Sequence, residues 1–276
     1  KTLVEALGER AQDLMSRDCP HILARGLRDL YDRIENDEVS IEKKSAGRVF
    51  MSLCRVLKRS LSGDDLDVGV VRSALDVLCA MTHTRENEDD VVFLVVPWER
   101  WETRLACSSI AKIVIDLTQN KHVRIRESAF RTACALANSS DVGRETVIRH
   151  VLCSVKEVNE SHAHMLAYRA RIVRAVIQRD VDIETVTEFC ASCLRLKSEF
   201  LRFQVRNLLV TLMHVYPEET FRDHLRSEIC MRWMSKYRKS LPREVLVCVY
   251  GEDEEEEDEV ENHVVLVSPR RRSRSS

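Results

Sequence analysis

The sequence is poor in the residues that build β-structure and tight turns. It holds only 7 glycines, 5 prolines and 5% aromatic residues among 276 positions, whereas β-sandwiches and barrels need many turn residues and aromatic strands. The longest apolar run, VVFLVVP at 91–97, is far shorter than the about 20 residues that cross a membrane. We therefore expect an all-α fold of long helices with short connections and no membrane insertion.

A strong net charge is also missing, since the formal value at pH 7 is −2. The charge is unevenly spread, because nine acidic residues lie in 252–261 and four arginines lie in 270–274. The rest of the chain is nearly balanced, so bulk charge does not predict a strong binder of polyanions.

Motifs typical of enzymes are hard to find. The sequence has no Gly-rich phosphate loop and no His-Glu-x-x-His motif, and its histidines form no recognisable catalytic order. Cys190-x-x-Cys193 is the best metal or redox candidate, and His162 and His164 could complete four zinc ligands. The alternative is that both cysteines belong to the buried stripe of a helix. We favour packing, and predict no catalytic residue, no metal and no cofactor.

Disulfides are not expected, although the chain contains ten cysteines. Most of them stand singly inside apolar helical patterns, where a free cysteine behaves as a small buried hydrophobe. Reduced thiols indicate an intracellular protein. The chain opens on Lys1 and ends in low-complexity sequence, from which we expect a piece of a longer protein.

Helical periodicity covers most of the chain, and segment 121–138 shows it clearly. Its apolar residues from Ile125 onward recur at steps of four and three, while arginines fill the other face. Its alanines permit the close approach of a neighbouring helix. Asp182 and Ser198 are predicted N-caps. Similar patterns predict helices at 2–17, 20–36, 40–59, 66–82, 98–117, 141–158, 160–178, 182–196, 198–215 and 217–236.

Four predicted helices share a five-residue motif. It consists of an aliphatic residue, an Arg, two further residues, and then an aliphatic or small residue. The motif reads VRSAL at 71–75, IRESA at 125–129, VRAVI at 173–177 and VRNLL at 205–209. These segments resemble the second helix of HEAT repeats and of the related armadillo repeats. The resemblance implies a right-handed α-solenoid over residues 1–240, built from irregular hairpins that bury a continuous core by stacking.

The composition changes after residue 240, and we expect 241–276 to be mostly disordered. Residues 244–250 (EVLVCVY) predict a strand or an extended segment, and the acidic run that follows cannot pack. Residues 268–276 form a basic Ser/Arg tail. This tail has two interpretations: a nuclear-localisation or phosphoacceptor segment, or an unstructured linker.

Basic residues in the last third of the helical region are candidates for a partner-binding strip. A strip of this kind would bind phosphate backbones, acidic peptides or the chain's own acidic run. The alternative, which we favour, is a solvated surface whose arginines pair with nearby glutamates. Trp98, Trp101 and Trp233 are core anchors in one interpretation and line a partner groove in the other. The candidate strip residues are Arg169, Arg174, Arg202, Arg206, Arg226, Arg232, Lys236 and Lys239.

The resemblance implies a non-catalytic scaffold or adaptor subunit that binds other proteins within a larger complex. The Ser/Arg tail favours the nucleus and a chromosome-associated complex. Two alternatives remain: a helical-repeat protein that binds nucleic acid through the arginine strip, and a solenoid of the vesicle-tethering or transport-receptor kind.

Overall fold

The structure is a computed structural model that describes residues 20–36, 43–61, 67–82, 100–139, 142–153 and 159–251. These residues form twelve α-helices and two 3-10 turns, with no strand among them. The predicted all-α class is therefore confirmed for the described part of the chain. None of the described helices is long and apolar enough to cross a membrane.

The helices follow one another with short connections. The first six are α1 (Pro20–Glu35), α2 (Lys43–Leu61), α3 (Val68–Thr82), α4 (Arg100–Leu117), α5 (Val123–Asn138) and α6 (Arg144–Cys153). The last six are α7 (Ala163–Val176), α8 (Ile183–Leu194), α9 (Glu199–Val215), α10 (Glu218–Leu225), α11 (Glu228–Tyr237) and α12 (Arg243–Tyr250). The 3-10 turns are Glu160–His162 and Arg238–Ser240.

Local capping chemistry fixes two of the helix starts as predicted. The Asp182 carboxylate accepts hydrogen bonds from the backbone N–H of Glu184 (3.3 Å) and of Thr185 (3.1 Å) at the start of α8. The Ser198 hydroxyl accepts from the N–H of Leu201 (3.4 Å) at the start of α9. Each cap satisfies N–H groups that have no partner within their own helix.

The helices pack in two rows. Helices α1, α3, α5, α7 and α9 contact one another in that order, and α12 packs against α9. The second row contains α2, α4, α6, α8 and α11, again in contact in that order. Consecutive helices such as α4 and α5 or α8 and α9 join the two rows. A single apolar cluster between the rows extends from Leu23 to Val249.

Helix α5 shows how the rows are held together. Its residues Ile125, Ala129, Ala133 and Leu136 are at most 2% exposed. The helix contacts α3 and α7 in its own row and α4 and α6 in the other. The two alanines keep its buried stripe narrow, which lets neighbouring helices approach.

The single helix predicted for 217–236 is wrong, because the structure divides it into α10 and α11. Residues Arg226 and Ser227 interrupt it. The Ser227 hydroxyl accepts a hydrogen bond from the N–H of Cys230 (3.4 Å) and starts α11 as an N-cap. A serine that binds its own following backbone competes with helix continuation.

The strand or extended segment predicted for 244–250 is also wrong, because these residues belong to α12. Pro242 stands at its N-cap position, and Val245 and Val249 are buried one turn apart. The helix packs against α9 and α10. The described helical part therefore extends to Tyr250, beyond the boundary expected at residue 240.

Several other predictions lie outside the described residues. They concern the helix at 2–17, the run at 91–97, the side chains of Trp98 and Trp101, and the tail at 252–276.

Candidate functional site

A cleft of about 510 Å³ opens between α8 and α11 of the second row. Along α8 its wall passes from Glu184 and Glu188 over the small Ala191 to Arg195. These positions are three or four residues apart and therefore share one helix face. The wall thus offers carboxylates near the start of α8 and a guanidinium just past its end.

The opposite wall belongs to α11 and is partly apolar. Ile229 is 63% exposed, the largest exposed fraction among the large apolar side chains of the described residues. Trp233 is half-buried and packs on the core while it lines the cleft. Arg232 also lines the cleft and forms an ion pair with Glu228 one turn away. The cleft can therefore hold an apolar side chain with charges of both signs around it.

His224 lines the cleft and joins its two walls. Its Nε2 lies 2.8 Å from the Thr187 hydroxyl and 3.5 Å from the Cys230 sulfur. The Thr187 hydroxyl is within 3.0 Å of the carbonyl oxygens of Ile183 and Glu184 and donates its hydrogen there. We therefore assign the proton of His224 to Nε2, which donates to Thr187.

The structure distributes the predicted strip residues over both rows. Arg174, Arg202 and Arg206 lie on α7 and α9, whereas Arg232 and Lys236 lie on α11 of the other row. Lys239 is exposed in the turn that follows α11.

Carboxylates neutralise several of these residues, as in the interpretation that we favoured. Glu199 pairs with Arg202 (3.4 Å) and with Arg206 (3.5 Å). Arg232 pairs with Glu228, while the guanidinium of Arg226 donates to the carbonyl oxygen of Val249.

Arg169 does not lie on an exposed strip, because its side chain is only 1% exposed. It points between the rows, where its guanidinium is 3.9 Å from the Asp116 carboxylate and 3.2 Å from the carbonyl oxygen of Val151. Burial lowers the pKa of Arg169 and raises that of Asp116, while the attraction between the two charges opposes both shifts. Arg169 therefore has a structural role that links α7 to α4 and α6.

A second charged cluster, which sequence reasoning did not identify, links α5 to α7. Two nitrogens of the Arg171 guanidinium donate to the two carboxylate oxygens of Glu127 at 2.9 and 3.2 Å. The Tyr168 hydroxyl donates to the same carboxylate at 2.7 Å, and the guanidinium lies over the Phe130 ring at 4.4 Å. The hydrogen bond from Arg171 is the main cause of the lowered pKa of Glu127. Glu127 is distant in sequence from Tyr168 and Arg171. The sequence pattern therefore predicts which helix face each residue lies on, but not that the three residues meet.

The candidate zinc cysteines are buried inside α8. Cys190 and Cys193 are both inaccessible to solvent. Burial raises the pKa of Cys193 to about 12 and that of Cys190 well above its usual value. His164 contacts the Phe200 ring, with ring centroids 5.7 Å apart. No group of three or more His, Cys, Asp or Glu residues suited to a metal occurs among the described residues. We therefore assign both cysteines to packing.

A Ser–His contact joins α4 to α6. The Ser108 hydroxyl lies 2.8 Å from Nε2 of His150, and burial lowers the pKa of His150. A serine nucleophile would also need N–H donors for an oxyanion. The N–H groups around Ser108 belong to the interior of α4, where helix hydrogen bonds use them. We therefore assign this contact to helix packing.

The chain was also compared with known proteins. Neither the protein-family models, nor the curated proteins, nor the solved structures gave a match.

Proposed function

We propose that this chain is a non-catalytic protein-interaction scaffold, an adaptor subunit of a larger complex. Its architecture would be a right-handed α-solenoid similar to HEAT and armadillo proteins. The two rows of helices in sequential contact support this proposal, because stacked hairpins bury a continuous core and leave both rows open as extended surfaces.

The observation that carries the proposed function is the cleft between α8 and α11. Ile229 is 63% exposed there, beside the half-buried Trp233. A large apolar side chain beside an aromatic one, within a charged rim, is the usual anatomy of an interaction site. We infer that the cleft binds a partner segment carrying one large apolar side chain. The segment would carry a basic group for Glu184 and Glu188 and an acidic group for Arg195.

Paired substitutions test this proposal. Ile229→Asp places a carboxylate at the centre of the cleft, and Ile22→Asp places one on α1, where Ile22 is 51% exposed. Proteins captured from cells by the two variants and the wild type are quantified together, and the candidate partner is then titrated in purified form. We expect an affinity loss of about tenfold or more for Ile229→Asp alone. Equal affinity of all three would exclude the cleft.

A salt titration separates the scaffold from a nucleic-acid-binding protein. Duplex and single-stranded nucleic acids are titrated with the purified chain between low and physiological salt. Carboxylates pair with the strip residues Arg202, Arg206 and Arg232, which weakens the attraction of the strip for phosphates. We therefore expect little binding. A steep loss of affinity with rising salt would favour the nucleic-acid interpretation instead.

The Ser/Arg tail at 268–276 supports a nuclear location for this scaffold. Imaging of the fluorescently labelled chain tests it. We expect the replacement of Arg270, Arg271, Arg272 and Arg274 by Gln to reduce nuclear accumulation, and an unchanged distribution would contradict this role.

A further inference from the structure

Two arginines contact the last turn of α12, and a third, Arg222, lies on α10, which packs against α12. Arg226 donates from Nε and Nη2 to the carbonyl oxygen of Val249 at 2.9 and 2.7 Å. The guanidinium of Arg238 lies over the Tyr250 ring, 4.9 Å from its centroid. Burial and Glu218 raise the pKa of Cys248, and Arg222 and Arg226 oppose that rise, as cations close to the thiol do. We call Arg222, Arg226 and Arg238 the arginine collar.

The surroundings of the collar are also mainly basic. Lys236 at the end of α11, Lys239 in the following turn and Arg243 at the start of α12 are all exposed. Carboxylates compensate part of this charge, since Glu218 pairs with Arg222 at 3.3 Å, and Glu219 and Asp223 on α10 and Glu244 on α12 are exposed. By formal charge, the six basic side chains still outnumber these four carboxylates around the end of α12.

The acidic run at 252–261 follows α12 after a single residue, Gly251. Gly251 leaves α12 with a φ of 92°, a left-handed conformation that suits glycine. Nine of the next ten residues, 252–261, are Asp or Glu. Ten residues span at most about 35 Å, so the first carboxylates stay close to the collar whatever path the chain takes. A tether this short gives an effective concentration in the millimolar range.

We propose that the arginine collar, extended by Lys236 and Lys239, is an interaction surface for consecutive carboxylates, and that residues 252–261 of the same chain occupy it. An arginine that binds a carbonyl oxygen in the last turn of a helix stabilises the helix C-terminus, and this role accounts for Arg226. It does not explain a guanidinium over the Tyr250 ring or the exposed lysines beyond it. The proposal does not depend on the cleft between α8 and α11.

Competition between the acidic run and a free copy of it tests the proposal. An amide variant of the full chain carries Gln for each Glu and Asn for each Asp in 252–261. A fluorescein-labelled peptide of sequence EDEEEEDEVE is titrated against the wild type and the amide variant at low ionic strength. We expect at least about tenfold tighter peptide binding by the amide variant, whose collar is vacated. We expect 0.5 M NaCl to abolish binding, since salt screens exposed charges beyond a few ångströms.

Equal peptide affinity for the two proteins, or no binding to either, would overturn the proposal. The location is tested by adding Lys236→Gln and Lys239→Gln to the amide variant, which we expect to weaken peptide binding several-fold. The matched control adds Lys112→Gln and Lys121→Gln, which neutralise exposed lysines on α4 and before α5, and should leave the affinity unchanged. Loss in both variants would also overturn the proposal. Circular dichroism and thermal unfolding in 0.5 M NaCl verify that every variant is folded.

Discussion

Arg169 is a single charge held between the two rows of helices, and its partner Asp116 determines what that burial costs. We predict that Asp116→Asn destabilises the chain by about 1–3 kcal/mol, because a buried guanidinium loses its counter-charge. This is less than the about 3–5 kcal/mol expected for a fully buried pair, since the Asp116 side chain is 29% exposed. Urea unfolding at pH 7 measures the change.

Two further variants test whether the loss of stability in Asp116→Asn comes from the missing charge pair or from altered packing between α7 and α4. Arg169→Met replaces the guanidinium by a shorter apolar side chain and leaves a carboxylate that is 29% exposed to water, so it should cost less stability than Asp116→Asn. Asp180→Asn breaks the exposed pair with Arg144 and should change stability by less than about 0.5 kcal/mol. A large loss in Arg169→Met would show that the guanidinium itself stabilises the fold.

The position of Arg169 was predictable in part. It lies three residues after Leu166 and four before Val173, both fully buried, so helical spacing alone places it on the buried stripe. The expectation that it lies on an exposed strip rested on its charge and not on its spacing. Its pairing with Asp116 was not predictable, because that contact depends on how α7 crosses α4.

Glu127 makes the contact between α5 and α7 sensitive to acid. Its pKa is lowered, chiefly by Arg171, so its stabilising effect is present above the unfolded-state pKa near 4.3 and is lost as pH falls through the folded-state value. We predict that Glu127→Gln costs roughly 0.5–1 kcal/mol at pH 7, a modest value because the side chain is 43% exposed. Urea unfolding between pH 7 and pH 3 should show the two proteins converging at the acid end. Glu219→Gln, on the exposed surface of α10, is the control, and a constant difference at all pH values would contradict this assignment.

At the scale of elements, the break between α10 and α11 depends on one hydroxyl group. We predict that Ser227→Ala destabilises the chain by about 1 kcal/mol, because the N–H of Cys230 loses its cap. Hydrogen exchange should show faster exchange in the first turn of α11. Ser235→Ala removes an exposed hydroxyl from the same helix and should change neither quantity.

Helix boundaries were predicted well where a side chain acts on its own neighbours. Asp182 and Ser198 cap α8 and α9 as expected, because their hydrogen bonds involve backbone two or three residues away. Residues 244–250 were misassigned because a short apolar segment with valine at every second position suits a strand as well as a buried helix. The burial of Val245 and Val249 against distant α9 and α10 decides between them.

At the scale of the whole molecule, the helices contact one another in sequential order. We therefore predict that a destabilising core substitution affects only the helices near it. Leu27 in α1 is 1% exposed, and Leu→Ala at a site of this kind costs about 2–5 kcal/mol. We predict that Leu27→Ala accelerates hydrogen exchange in α1 and α3, while α9 keeps the exchange rates of the wild type. Hydrogen exchange read by mass spectrometry measures all three helices at once.

The converse substitution is the control for this prediction. Leu208→Ala removes a buried side chain from α9 and should spare α1 while it exposes α9 and α12. Uniform acceleration along the chain in both variants would indicate one cooperative globule and would contradict the proposed solenoid.

Composition and periodicity were sufficient to predict an all-α chain, but they could not predict the cleft. Few glycines and aromatics, together with the spacing of four and three, indicate helices in most single segments, although not at 244–250. The cleft forms between α8 and α11, which are separated in sequence by α9 and the short α10. The width of the cleft therefore depends on how α9 and α10 change the direction of the chain, which local sequence patterns do not predict.

The cleft also has a mechanical meaning. Helices α8 and α11 are in contact, but the cleft leaves part of the space between them unfilled, whereas α4 and α6 pack more closely. Tension applied along the array should therefore bend it more easily at this junction than between α4 and α6. A segment that fills the cleft would therefore reduce the motion of the last helices relative to the rest of the chain.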